Sequence, residues 1–230
     1  MIITDRDWFQ NQSLFIFEQY LTLLSRFESC LGICYDVAMS NAIIIPGRPD
    51  KDEHYDPKRP SNSEDHWYSW LKRQLILKDI HAVTIEPPFP FRPRYEEWKN
   101  EFERFEITED TILVGHSCGG GFLVRYISEH KDIKFGKVVL VAPWINPDHY
   151  EISDTADFFD FEIDPDFPSR TKGTTIFISD DDEPSVVKTV DIIREIVKGI
   201  NFRDYTDQHH FTIDTMHTDE FPELLEMVLM

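Results

Sequence analysis

Short, unbroken apolar runs punctuate this chain, and between them the apolar residues thin to one side of a helical period. AIIIP (42–46) is continuously apolar, rich in β-branched residues and halted by Pro-Gly, the pattern of a strand buried on both faces. HAVTI (81–85) reads as a second strand, closed by Pro87 and Pro88. The same pattern predicts strands at 111–115, KVVLVAPW (137–144), TTIFIS (174–179) and NFRDYT (201–206). Between them, Ser61-x-x-Glu64 reads as a capping box opening a helix with Trp67, Trp70, Leu71 and Leu75 on one face. Tyr95, Trp98, Phe102 and Phe105 recur at helical spacing. So do Val186, Val190, Ile193 and Val197, ahead of a stop at Gly199. A helix is expected from about Cys118, and Pro222 opens a last one that buries Phe221, Leu224, Leu225 and Val228.

Apolar strands alternating with helices require a parallel sheet covered on both faces. The fold class is therefore α/β, doubly wound, with a mostly parallel sheet. Residues 1–40 precede the first clear strand and are expected to form a helical N-terminal extension to a domain at 41–230. Acidic and aromatic residues interleave between Pro147 and Pro168 (DHYEISDTADFFDFEIDPDF). This segment is either a lid presenting Phe158, Phe159 and Phe161 to an apolar group, or a surface loop with an aromatic anchor.

Charge narrows the partners. Against 23 basic residues stand 43 acidic ones, a net charge of -20 that repels phosphate backbones and anionic lipid. No nucleic-acid partner is expected. The stretch 14–35 is apolar but carries Glu18, Arg26 and Glu28 and follows Asp5 and Asp7. It fits neither a membrane span nor a signal peptide, and reads as an amphipathic helix packed on the domain or on a protein partner. Cys30, Cys34 and Cys118 have neither disulfide-framework nor metal-ligand spacing, which points to a reducing, cytoplasmic setting.

The chemistry concentrates in TILVGHSCGGG (111–121), where Gly115-His116-Ser117-Cys118-Gly119 satisfies G-x-S-x-G between a predicted strand and a predicted helix. A serine on such a turn is exposed as a nucleophile, and the glycines let strand and helix approach. The alternative, a phosphate-binding turn, lacks the G-x-G-x-x-G spacing and the P-loop lysine. A serine nucleophile needs a base, and the base needs an orienting carboxylate, in the chain order Ser, acid, His on this sheet type. Asp180, Asp181, Asp182 and Glu183 follow one strand directly, and His209 and His210 follow the next, with His217 further on. Four acids and three histidines thus compete for two roles. A metal site from the same Asp and His residues is the lesser alternative, because the serine constellation already accounts for them.

With AIIIPG, HWYSWLKRQL, ILVGHSCGG, VVLVAPW, ISDDDEP and HHF followed by EFPELLE, the chain resembles the small serine-hydrolase family of α/β-hydrolases, retinoblastoma-binding-protein serine hydrolase and YdeN-like, over about 41–228. The resemblance implies an α/β-hydrolase fold and a cofactor-independent hydrolase of small esters, thioesters or amides. It implies Ser117 as nucleophile, Asp182 as orienting acid and His210, before Phe211, as base. The backbone N–H groups of Arg48 and Cys118 would form the oxyanion hole. His209 stands where the family usually has Gly, and Arg48 where a small or polar residue is common. A catalytically silent, hydrolase-like protein-binding module is the competing reading; an acyltransferase would differ only in the acceptor of the acyl group.

Overall fold

The computed structural model describes residues 40–149 and 157–230. The expected N-terminal extension and the middle of the 147–168 segment lie outside the described residues. Six strands form one parallel sheet: β1 (Asn41–Ile45), β2 (His81–Thr84), β3 (Ile112–His116), β4 (Val138–Val141), β5 (Thr174–Ser179) and β6 (Ile200–Tyr205). Their spatial order is β2-β1-β3-β4-β5-β6. The central strands β4 and β5 are buried along their whole length, as their unbroken apolar runs require. β6 has only partly buried and exposed positions because it lies at the edge.

The helices are α1 (Lys51–His54), α2 (Tyr68–Ile76), α3 (Tyr95–Phe102), α4 (Cys118–Glu129), α5 (Pro184–Ile196), α6 (Ile213–Met216) and α7 (Pro222–Leu229). Parallel crossovers are right-handed, so the reversal of strand order at β1 puts α2 on the opposite face from α3, α4 and α5. The packing agrees. α2 meets α7, while Trp98 and Phe102 of α3 pack edge-on or tilted against Phe122 of α4. That reversal also opens a crevice at the C-terminal ends of β1 and β3, where open α/β sheets bind their ligands.

One local expectation changes, and the structure bears on another. Residues 62–64 form a 3-10 turn, Ser61 makes no side-chain cap, and the helix starts only at Tyr68. The Glu64 carboxylate instead accepts hydrogen bonds from Ser69 Oγ and Lys72 Nζ, both at 2.6 Å, which staples the turn to the first turn of α2. In the described part of the 147–168 segment, Phe158 is an anchor: it is buried and stands edge-on to Trp98 at 5.0 Å. Phe159 packs edge-on to Trp144.

Gly119 shows why α4 opens with glycines. A Cβ there would lie 2.3 Å from the Ile45 carbonyl oxygen and 2.4 Å from that of Pro46. The helix can sit against the end of β1 only without a side chain at this position. Gly119→Ala is therefore expected to destabilise the fold by ~1–3 kcal/mol, the usual cost of overpacking. Thermal unfolding measures it, and an unchanged midpoint would show that the contact is not tight.

Candidate active site

Ser117 sits between β3 and α4 at φ 51° and ψ -119°, a conformation costly for a side-chain-bearing residue. Three hydrogen bonds hold it there. Its N–H donates to the Val141 carbonyl at 2.9 Å, and its carbonyl accepts the N–H groups of Gly121 and Trp144, each at 3.0 Å. Its hydroxyl does not cap α4. Ser117 lines a cavity of about 160 Å³ at the crevice, together with Gly47, Arg48, His66, His116 and His210. Phe158, Phe159 and Phe161 are not among the residues that line it.

His210 lies in the loop after β6, and Asp182 in the loop after β5. His210 Nδ1 donates to Asp182 Oδ1 at 2.9 Å, and the Asp182 side chain is fully buried. The Glu183 N–H donates to the same oxygen at 2.6 Å. In the neutral form of the ring, a proton at Nδ1 leaves Nε2 as the bare nitrogen. The rivals are placed as plainly. Asp181 pairs with His209 at 3.0 Å and also accepts from Ser179 Oγ, so the two loops carry two Asp–His pairs side by side. The outer pair is on the surface: the His209 side chain is 56% exposed, against 25% for His210. Asp180, Glu183 and His217 are exposed and none lines the cavity.

The His210 loop is tightly wound, with positive φ at Asp207, His209 and Phe211. Buried Phe211 fixes it from below, stacked on Phe221 with ring centres 5.6 Å apart. The start of α2 fixes it from the side. Trp67 Nε1 donates to the Phe211 carbonyl at 3.0 Å, and the Ile213 N–H donates to His66 Nδ1 at 3.4 Å. Of these residues the sequence pattern marks Trp67 and Phe221 as core and singles out neither His66 nor Ile213.

The loop after β1 faces Ser117 from the other side. Asn62 Nδ2 donates to the Gly47 carbonyl at 3.0 Å. In a trans peptide the C=O and the following N–H point in opposite directions, so this bond also aims the Arg48 N–H away from Asn62. Neither the Arg48 nor the Cys118 N–H donates to a protein acceptor among the described residues. The Arg48 guanidinium turns to the Phe91 carbonyl at 3.4 Å and to Asp50 at 3.8 Å. Cys118 itself is buried, and burial pushes its thiol up to about 12, leaving negligible thiolate near neutrality. Among the described residues no cluster of three or more His, Cys, Asp or Glu could hold a metal ion, and no helix is long and apolar enough to cross a membrane.

A doubly wound parallel sheet, a strained serine at its strand-to-helix turn and a histidine bonded to a buried aspartate at the same crevice define the α/β-hydrolase layout. The chain belongs to the Serine hydrolase family, whose model matches residues 59–228. YdeN of Bacillus subtilis (strain 168) is 33% identical over 86 residues, 36% of this chain and 45% of YdeN, so the aligned segment spans less than half of that relative. The crystal structure of the B. subtilis ydeN product superposes with a TM-score of 0.63 at 21% identity, covering 83% of this chain and 97% of that one. Est1E from Butyrivibrio proteoclasticus, solved with ferulic acid bound, gives 0.55 at 14% identity over 82% and 86%. These two likenesses establish the fold.

Burial holds the pKa of His116 well below the usual histidine value, with His210 and His66 adding repulsion, and burial lowers that of His66 too. The unfolded chain therefore binds protons that these native rings refuse once the pH drops below about 6.5, the ordinary histidine value. Stability is expected to be flat above that pH and to decline as pH falls through it. Urea unfolding between pH 7.5 and 5 measures this, and His116→Gln should make the decline shallower. A decline equally steep in that variant would remove His116 from the account.

Proposed function

We propose that the protein is a serine hydrolase that cleaves a small carboxylic ester, thioester or amide through an acyl-enzyme on Ser117. The observation that carries this reading is the 2.9 Å bond from His210 to the buried Asp182, with His210 lining the same cavity as the strained Ser117. His210 Nε2 takes the Ser117 proton as the hydroxyl attacks the carbonyl. Asp182 holds the imidazole and stabilises the imidazolium that forms. The Arg48 and Cys118 N–H groups receive the oxyanion, each worth on the order of 3 kcal/mol in the transition state. The positive end of α4 adds to that field. The imidazolium then protonates the leaving group, and His210 next activates a water that releases the acid.

A fluorophosphonate probe and a short-chain p-nitrophenyl ester test the reading. Labelling and turnover are expected in the wild type and absent in Ser117→Ala and His210→Ala. Asp182→Asn should reduce kcat by about 10⁴-fold, as loss of the orienting acid does elsewhere. Asp181→Asn should cost far less, because its partner His209 points to the surface. Hydrolysis retained in Ser117→Ala would defeat the assignment, and a larger loss from Asp181→Asn than from Asp182→Asn would transfer the acid's role.

A further inference from the structure

A buried chain of polar groups runs behind Ser117 and joins the two loops that flank it. His116 Nε2 lies 2.9 Å from the His210 carbonyl oxygen. A carbonyl can only accept, so this nitrogen carries the proton. Complete burial keeps the ring neutral, which leaves Nδ1 bare. Tyr68 Oη lies 2.5 Å from Nδ1 and must therefore donate its proton there. The tyrosine oxygen in turn accepts the Gly47 N–H at 3.2 Å. Each donor is matched to one acceptor, and the direction of the whole chain follows from the carbonyl at its end: Gly47 N–H to Tyr68, Tyr68 O–H to His116, His116 N–H to His210 C=O.

We propose that Tyr68 and His116 are positioning residues that set the loop after β1 and the His210 loop relative to Ser117 through this chain. The inference rests on the proposed serine-hydrolase reading and assigns these two side chains a part in it. At one end, Gly47 is the residue before Arg48, whose N–H is a proposed oxyanion donor. At the other, the carbonyl belongs to the proposed base itself. Gly47 has a second constraint, because a Cβ there would lie 3.2 Å from Ser117 Cβ. Asn62 holds the Gly47 carbonyl while Tyr68 holds its N–H, so both peptide groups of this residue are pinned. A neutral His116 also matters electrostatically. Its ring centre is 5.0 Å from that of His210, and a second positive charge there would oppose the imidazolium that forms in the reaction.

The order of donor and acceptor yields a test that packing alone does not pass. The Gln amide offers one acceptor and one donor about as far apart as the imidazole nitrogens, whereas Leu offers neither. His116→Leu is expected to lower kcat for the p-nitrophenyl ester at least about 10-fold with KM nearly unchanged, because the groups it misplaces act on the transition state. His116→Gln should recover most of that loss, and Tyr68→Phe should resemble His116→Leu. Wild-type kcat in a folded His116→Leu, or a folded His116→Gln as impaired as His116→Leu, overturns the proposal. Should the variants fail to fold, nitrogen-15 NMR of histidine-labelled wild type decides. His116 must appear as the neutral Nε2–H tautomer and stay so through pH 6, and an Nδ1–H tautomer overturns the chain. Ser117→Ala, assayed in parallel, separates the two failures. Activity surviving there defeats the hydrolase reading itself, while activity lost there but intact in His116→Leu defeats only the positioning role.

Discussion

The backbone at Ser117 is the constraint on which the rest of the site depends. A residue with a side chain held at φ 51° costs of order 1–3 kcal/mol, and three backbone hydrogen bonds from β4, α4 and the loop after β4 keep it there. That turn aims the side chain out of the sheet at the reversal of strand order, where the loops after β1, β5 and β6 also gather. It further requires α4 to begin hard against the end of β1, which only glycine at 119 permits. The strain at one residue is thus inseparable from the packing of a helix against a strand.

Around this point, the first residues of α2 and the turn before it act as a bracket. His66, Trp67 and Tyr68 are consecutive, and each reaches a different part of the site: His66 the Ile213 N–H, Trp67 the Phe211 carbonyl, Tyr68 the ring of His116. One short stretch of chain thereby fixes the loop that carries His210 across a sequence gap of more than 140 residues. Because these partners are made in the ground state and mostly buried, the loop needs little reordering when a ligand arrives, and fixed dipoles of this kind are what stabilise developing charge.

Much of the fold was legible because strands buried on both faces leave unbroken apolar runs that no surface element produces. AIIIP and TTIFIS announced β1 and β5 almost to the residue. The turn at Ser117 was legible too, since G-x-S-x-G between an apolar run and a helical period predicts a sharp strand-to-helix turn, and Ser117 holds the positive φ there. The choice among four acids and three histidines was not legible from the residue pattern without the family resemblance, because the loops after β5 and β6 run alongside each other and form two Asp–His pairs, which burial and the cavity lining tell apart. Tyr68 and Asn62 escaped assignment for another reason. A tyrosine at the start of a helix looks like core, and its hydrogen bond to a histidine 48 positions away leaves no local periodicity. The Ser61–Glu64 motif misled because Glu64 found Ser69 and Lys72 ahead of it, which competed successfully with the backbone cap.

Cys118 stands next to Ser117 in the chain, yet the two have opposite chemical fates. The turn thrusts Ser117 towards solvent, and the first turn of α4 folds the Cys118 side chain into the core. A thiol kept protonated and out of contact with solvent has no thiolate to offer a peroxide or a disulfide, so the first step towards sulfenic acid is closed to it. The residue beside Ser117 therefore does not make the site answer to the oxidation state of its surroundings.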